Sequence, residues 1–181
     1  MGFFILSGAT TMPFVYSGIP TAYKLPNYAV TLTAYNAVPS QTDGEPFITA
    51  SGTYSNPEVV AARSQDLAKE LPFGTIIEID GPSAPGNSCG YDVVSPIIGY
   101  RVIADTMNSR FTNYIDVLFS IRSHYTMSDG KTKNASTILG ICDDVTVHVV
   151  GFIDISNPNH LPKTQEELIK IIKGGNSLAI K

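Results

Sequence analysis

Charged side chains are sparse in this chain, with 12 basic and 16 acidic residues among 181, or 15%. Lys and Arg form no cluster, and the net charge is −4. Nucleic acid requires a basic face to meet its phosphates, so it is not an expected partner, and anionic membranes are disfavoured for the same reason. A neutral or mixed-charge polymer such as a glycan stays open. Cysteine is equally scarce, with only Cys89 and Cys142. Their separation fits no zinc motif, and His124, His148 and His160 share no ligand spacing, so no metal or other cofactor is expected. The two cysteines either bridge in an oxidising compartment or stay as buried free thiols. Long apolar runs are missing too. Residues 3–15 (FFILSGATTMPFV) are broken by Gly8 and Pro13 and are too short to span a bilayer as a helix. No basic residue precedes them, as a secretory signal would require. They read either as the remnant of an export signal or as an extended arm packed on the domain, and no transmembrane anchor is evident.

What the chain does have is glycine, proline and short alternating runs. Fifteen Gly, 12 Pro and 43% apolar content fit one loop-rich β domain with a true core. Val30, Leu32 and Ala34 alternate with Thr31, Thr33 and Tyr35, the period-two signature of a strand. Further strands are predicted over residues 47–51, 75–80, 100–105, 115–119 and 145–149. Asn56-Pro57 suits the start of a helical turn, and Ser64 the cap of a short helix over 65–71, stopped by Pro72. Residues 36–46, 81–96 and 128–134 read as loops. The capping box Thr164-x-x-Glu167 opens a longer helix with Leu168 and Ile172 on one face, ended by Gly174-Gly175. These features predict a mainly β protein built on a small closed or nearly closed barrel, with short connecting helices and a C-terminal helix. The arm spans 1–28, the barrel 29–155 and the helical tail 156–181.

Three aspartates carry the functional reading. Asp105 and Asp116 lie eleven residues apart, one on each side of a polar loop, and paired carboxylates in a cleft are what acid-assisted cleavage of a glycosidic bond requires. Alternation places Asp116 on the face opposite Ile115, Val117 and Phe119, in mid-strand, where no turn calls for it. Asp105 ends its strand and either joins Asp116 or serves the following turn. Asp66 lies in a first helical turn, which favours any carboxylate. An aspartate that acts as an acid near neutral pH must rise from about 3.9 to about 6, which a charged neighbour plus partial burial supplies. Tyr35, Thr49, Ser51, Thr106 and Arg110 are the side chains expected to meet a sugar.

In order along the chain, Thr33-Ala34-Tyr35, residues 49–53 (TASGT), Asp66 before Pro72-Phe73-Gly74-Thr75, Ala104-Asp105-Thr106, and Asp116 within IDVLF resemble the pattern of the three-aspartate (3D) domain. That family includes membrane-bound lytic transglycosylase A, and the resemblance runs from about Leu32 to Phe152. It implies a six-stranded double-psi β-barrel located in the cell envelope, periplasmic or secreted. The implied activity is cleavage of the MurNAc–GlcNAc bond of peptidoglycan glycan strands without water. By the same resemblance Asp116 is the single acid then base, Asp105 modulates it, and Asp66 orients the site.

The chain departs from the pattern in three places, the first being Asp66, which sits one position nearer Pro72 or is shifted by a gap and is followed by Leu67 where the pattern has Asp-Pro. Met107-Asn108-Ser109-Arg110 stands where many catalytic members carry Gly-Gly, and residues 81–96 are an insertion. Two other readings compete on the same fold: a non-catalytic, expansin-like glycan-binding barrel, and a hydrolase whose carboxylates stand about 6.5–9.5 Å apart. Arg110 discriminates, because a cation paired with Asp116 would hold it ionised and spoil it as an acid.

Overall fold

The computed structural model describes residues 25–42, 44–83 and 89–174, so the expectations for the arm before residue 25 and for Gly175 lie outside the described residues. Among the described residues eight strands form: β1 (Asn27–Asn36), β2 (Val60–Arg63), β3 (Thr75–Pro82), β4 (Arg101–Thr106), β5 (Tyr114–Phe119), β6 (His124–Thr126), β7 (Thr132–Asn134) and β8 (Cys142–Phe152). Six of them close on one another in the order β1-β5-β2-β4-β3-β8, while β6 and β7 make a separate hairpin. Within the ring, β1·β5 and β2·β4 are parallel and the other four pairings antiparallel.

Alternation along the strands sorts side chains into two apolar clusters. Val30 and Leu32 of β1, Ala61 of β2, Ile77 of β3, Ile103 of β4, Val117 of β5 and Val147 of β8 share one cluster. All six ring strands contribute to it, so it fills the ring. Tyr35, Ala62, Ile76, Val102, Ala104 and Leu118 point the other way, into a second cluster completed by Ile155, Leu161 and Leu168. Leu168 comes from the C-terminal helix, α3 (Gln165–Lys173), which packs its apolar stripe here as its spacing predicts. Thr164 caps it by accepting from the Glu167 amide, and Glu167 reaches back to the Lys163 amide.

Where sequence and structure differ, the causes are local. Residues 81–96 are not one loop: β3 runs on to Pro82, and α1 (Tyr91–Ile98) follows. Pro96 cannot donate to the Asp92 carbonyl, but the Ser95 hydroxyl takes that acceptor at 3.3 Å, and one short helix tolerates the gap. A second unpredicted helix, α2 (Ala135–Leu139), is capped by the Asn134 side chain. Residues 132–134, read as loop, pair with β6. The helical turn expected after Asn56-Pro57 does form, with the Val59 and Val60 amides on the Asn56 carbonyl and the Glu58 amide on its side chain, and the chain then enters β2. Every residue of β2 is buried on both faces, so it shows no alternation to read. The segment after Ser64 is a single 3-10 turn (Gln65–Ala68), and the Ser64 side chain does not cap it. Its hydroxyl instead accepts from the Tyr114 amide at 3.0 Å.

Cys89 and Cys142 form a disulfide that ties the approach to α1 to the start of β8. Of the two open alternatives, the bridge is the one found. Among the described residues no helix is long and apolar enough to cross a membrane.

Candidate functional site

The two carboxylates meet because of strand register. Ala62 of β2 lies opposite Asp116 of antiparallel β5 and, on its other side, opposite Asp105 of parallel β4. One small residue therefore separates the aspartates laterally. Asp105 reaches this row through a bulge: Ala61 pairs with Ile103, but the next residue, Ala62, pairs with Asp105, which skips Ala104. Strict alternation would have turned Asp105 the same way as Ile103, into the ring interior.

Strand β1 supplies a hydroxyl to each carboxylate. Thr33, in register with Asp116, donates to its Oδ1 at 2.8 Å. Two residues on, along the same face, the Tyr35 hydroxyl donates to Asp105 Oδ2 at 2.8 Å. Asp105 Oδ1 also accepts from the amides of Ala50 and Thr106, each at 2.9 Å. Three donors on two oxygens suit a carboxylate that only accepts. Burial first, and then Asp105 nearby, raise the phenol of Tyr35 well above its usual value, so it stays a donor.

Asp116 stands in different surroundings. It accepts one hydrogen bond from Thr33, the side chain is half-buried, and partial loss of water pushes the carboxyl up to about 7. The Thr33 hydroxyl opposes that rise, while the charge of Asp105 adds to it. The two carboxyls are thus unequal: one is fixed by three donors, and the other is poised to exchange a proton near neutrality.

Asp66 does not join the pair. The Ser64 hydroxyl, followed by the Asn113 amide and the charge of Arg63, holds its carboxyl below the ordinary aspartate value. The Asn113 amide bond measures 3.0 Å, and Asn113 itself adopts φ 62 just before β5. Asp66 therefore braces the turn that launches the strand carrying Asp116. A left-handed residue with a charge-assisted amide bond fixes where that strand begins.

The residues expected to meet a sugar divide. Tyr35 and Thr49 are buried, at 8% and 5% exposure, and their hydroxyls are engaged within the protein. Ser51 and Thr106 are half-buried beside Asp105, and the Ser51 amide donates to the Ala104 carbonyl. Arg110 is exposed, its guanidinium stacked 4.8 Å from the Phe111 ring, and it forms no ion pair with Asp116. Thr33 and Ala62 were missed as site residues. The two-residue spacing of Thr33 and Tyr35 was the available signal for the first, and nothing in the sequence marked the second.

Two open depressions lie elsewhere, one of about 340 Å³ beside Glu58, Phe119 and Gln165 and one of about 230 Å³ beside Glu78, Tyr91 and Tyr100. Neither includes an aspartate of the pair, and neither gathers groups with complementary acid–base character. Chemistry places the candidate site at the carboxylates. No protein-family model matches the chain, and no curated protein matches it.

Proposed function

We propose that this protein is a peptidoglycan lytic transglycosylase of the three-aspartate type, on a double-psi β-barrel, with Asp116 as its single acid and base. The observation that carries the reading is the inequality of the pair: a half-buried, mid-strand Asp116 raised to about 7 beside an Asp105 fixed by three donors. A closed ring with two parallel pairings among antiparallel ones is consistent with the proposed barrel topology. In the proposed reaction protonated Asp116 gives its proton to the glycosidic oxygen as the C1–O bond breaks. Negative charge on Asp105 stabilises the oxocarbenium-like centre. The muramyl C6 hydroxyl then attacks C1 and passes its proton to Asp116, which regenerates the acid and leaves a 1,6-anhydro ring.

Thr33 and Tyr35 position the two carboxyls, Asp66 sets the start of β5, and Arg110 lies outside the pair, where it leaves Asp116 free to bind a proton. That last point favours an enzyme over a purely glycan-binding barrel. Mass spectrometry of purified sacculi after incubation tests the reading. Anhydromuramyl products that vanish with Asp116→Asn are expected. Reducing-end products would assign a hydrolase, and unaltered glycan retained on the protein would assign a binding module. The proposed location is the cell envelope, with which the disulfide is compatible.

A further inference from the structure

Residues 47–55 form a hairpin whose two faces differ sharply. The Thr49 amide donates to the Thr53 carbonyl and the Ser55 amide to the Phe47 carbonyl, which brackets the bridge between Ile48 and Tyr54. Ile48 and Tyr54 are therefore a non-hydrogen-bonded cross-strand pair, the closest side-by-side arrangement two antiparallel residues adopt. On the opposite face Thr49 and Thr53 are buried and share a hydroxyl–hydroxyl bond of 2.9 Å. The hairpin is held rigidly from that side, and its tip is clipped to the candidate site. Ala50 donates to the Asp105 carboxylate and Ser51 to the Ala104 carbonyl, at 2.9 and 3.0 Å.

The outward face is left bare. On that face Ile48 is 51% exposed and Tyr54 59%, and at the entrance to the hairpin Phe47, next to Ile48 in sequence, is 59% exposed. Three large apolar side chains on a nine-residue hairpin are not scattered surface residues, particularly on a support that immobilises them. The hairpin sequence, FITASGTYS, also contains no charged residue. An uncharged, partly aromatic ledge with a phenol at its edge is complementary to a ring that offers axial C–H groups on its face and hydroxyls at its rim. A charged polymer would find no counter-charge on it.

We infer that Ile48 and Tyr54, flanked by Phe47, are the ledge on which a non-reacting pyranose of the glycan strand stacks, next to the sugar at the carboxylate pair. The ledge rests on the glycan-cleaving reading of that pair. Its role is to bind: it holds the strand while Ala50 couples the hairpin to Asp105. Remote contacts of this kind supply the binding energy that positions the scissile bond.

Co-sedimentation with purified sacculi tests the ledge, with every protein carrying Asp116→Asn so that bound glycan is not degraded. Ile48→Ser/Tyr54→Ser should weaken binding on the order of tenfold, equivalent to ~1.4 kcal/mol. Ile141→Ser, which alters an equally exposed apolar side chain outside the hairpin, should leave binding unchanged. Thermal unfolding of each variant checks that these exposed substitutions leave the fold intact. Binding as tight in the double variant as in its parent overturns the ledge alone. A parent that fails to bind sacculi overturns the ledge together with the glycan reading. A parent that is dimeric by sedimentation, and monomeric after Ile48→Ser/Tyr54→Ser, overturns it in favour of a contact between copies.

Discussion

Asp116 is the residue on which the chemistry turns, and its environment makes a stability prediction independent of any substrate. Its folded value of about 7 lies above its unfolded value of 3.8. Between those values the native state holds more protons than the unfolded chain, so its contribution is full below pH 3.8 and is lost as pH rises through 7. That loss amounts to at most ~4 kcal/mol. Asp116→Asn, which stays neutral, should therefore raise the thermal midpoint at pH 8 and change it little at pH 4. Thermal unfolding at both pH values checks this, and equal effects would contradict a raised carboxyl. Thr33 acts in the opposite sense, because its hydroxyl favours the charged form. Thr33→Val should move the Asp116 titration upward by about one pH unit, ~1.4 kcal/mol, in carbon-13 NMR of the carboxyl. A merely structural threonine would not move it.

At the scale of elements, legibility followed the faces of the strands. β1, β3, β4, β5 and β8 each left alternation or a strong β run in the sequence, and the helix after Thr164 announced its own cap. β2 did not, because both of its faces are buried and Val60, Ala61 and Ala62 followed by a buried Arg63 carry no period. Without β2 the row Thr33–Asp116–Ala62–Asp105 cannot be assembled from sequence, nor can the bulge that turns Asp105 outward from the ring. Helix α1 was hidden by Pro96 and by the glycines and prolines before it, which read as breakers. Asp66 was legible as a residue at a helical start, where the structure has it in a 3-10 turn, and to that the structure adds a brace for the turn at Asn113. The glycine of Pro72-Phe73-Gly74-Thr75 proves to be steric in origin. Gly74 sits at φ +93 with its amide on Ile103 and its carbonyl on Ile153, and a Cβ there would collide with the Ile153 carbonyl.

Over the whole molecule, the ring is held by packing on both of its faces and by two devices in its periphery. Arg101 is wholly buried, and among the described residues no carboxylate lies within ion-pair distance of it. Its guanidinium donates instead to the carbonyls of Ile97 and Ile98 at the C-terminal end of α1, to Pro57, and at longer range to Val60 and Leu118. A helix C-terminus favours a cation, and these bonds cross-link α1 to the strands, although burial pushes the group down to about 9. The Cys89–Cys142 bridge closes a loop across a sequence separation of 53. Cys89→Ala/Cys142→Ala should lower the unfolding free energy by about 4 kcal/mol if the loop is closed only by the bridge. Denaturant titration measures that loss, and reductant should reproduce it. The carboxylate pair lies on other strands, so product formation below the unfolding transition should survive reduction.

The most direct test of the account is the fate of solvent oxygen during cleavage. Purified sacculi are incubated with the protein in heavy-oxygen water, and released muropeptides are weighed by mass spectrometry. Intramolecular attack by the C6 hydroxyl predicts anhydromuramyl products carrying no heavy oxygen, with a rate that falls as pH rises past about 7 and is abolished by Asp116→Asn. Heavy oxygen at a new reducing end, or cleavage that persists in Asp116→Asn, would contradict it.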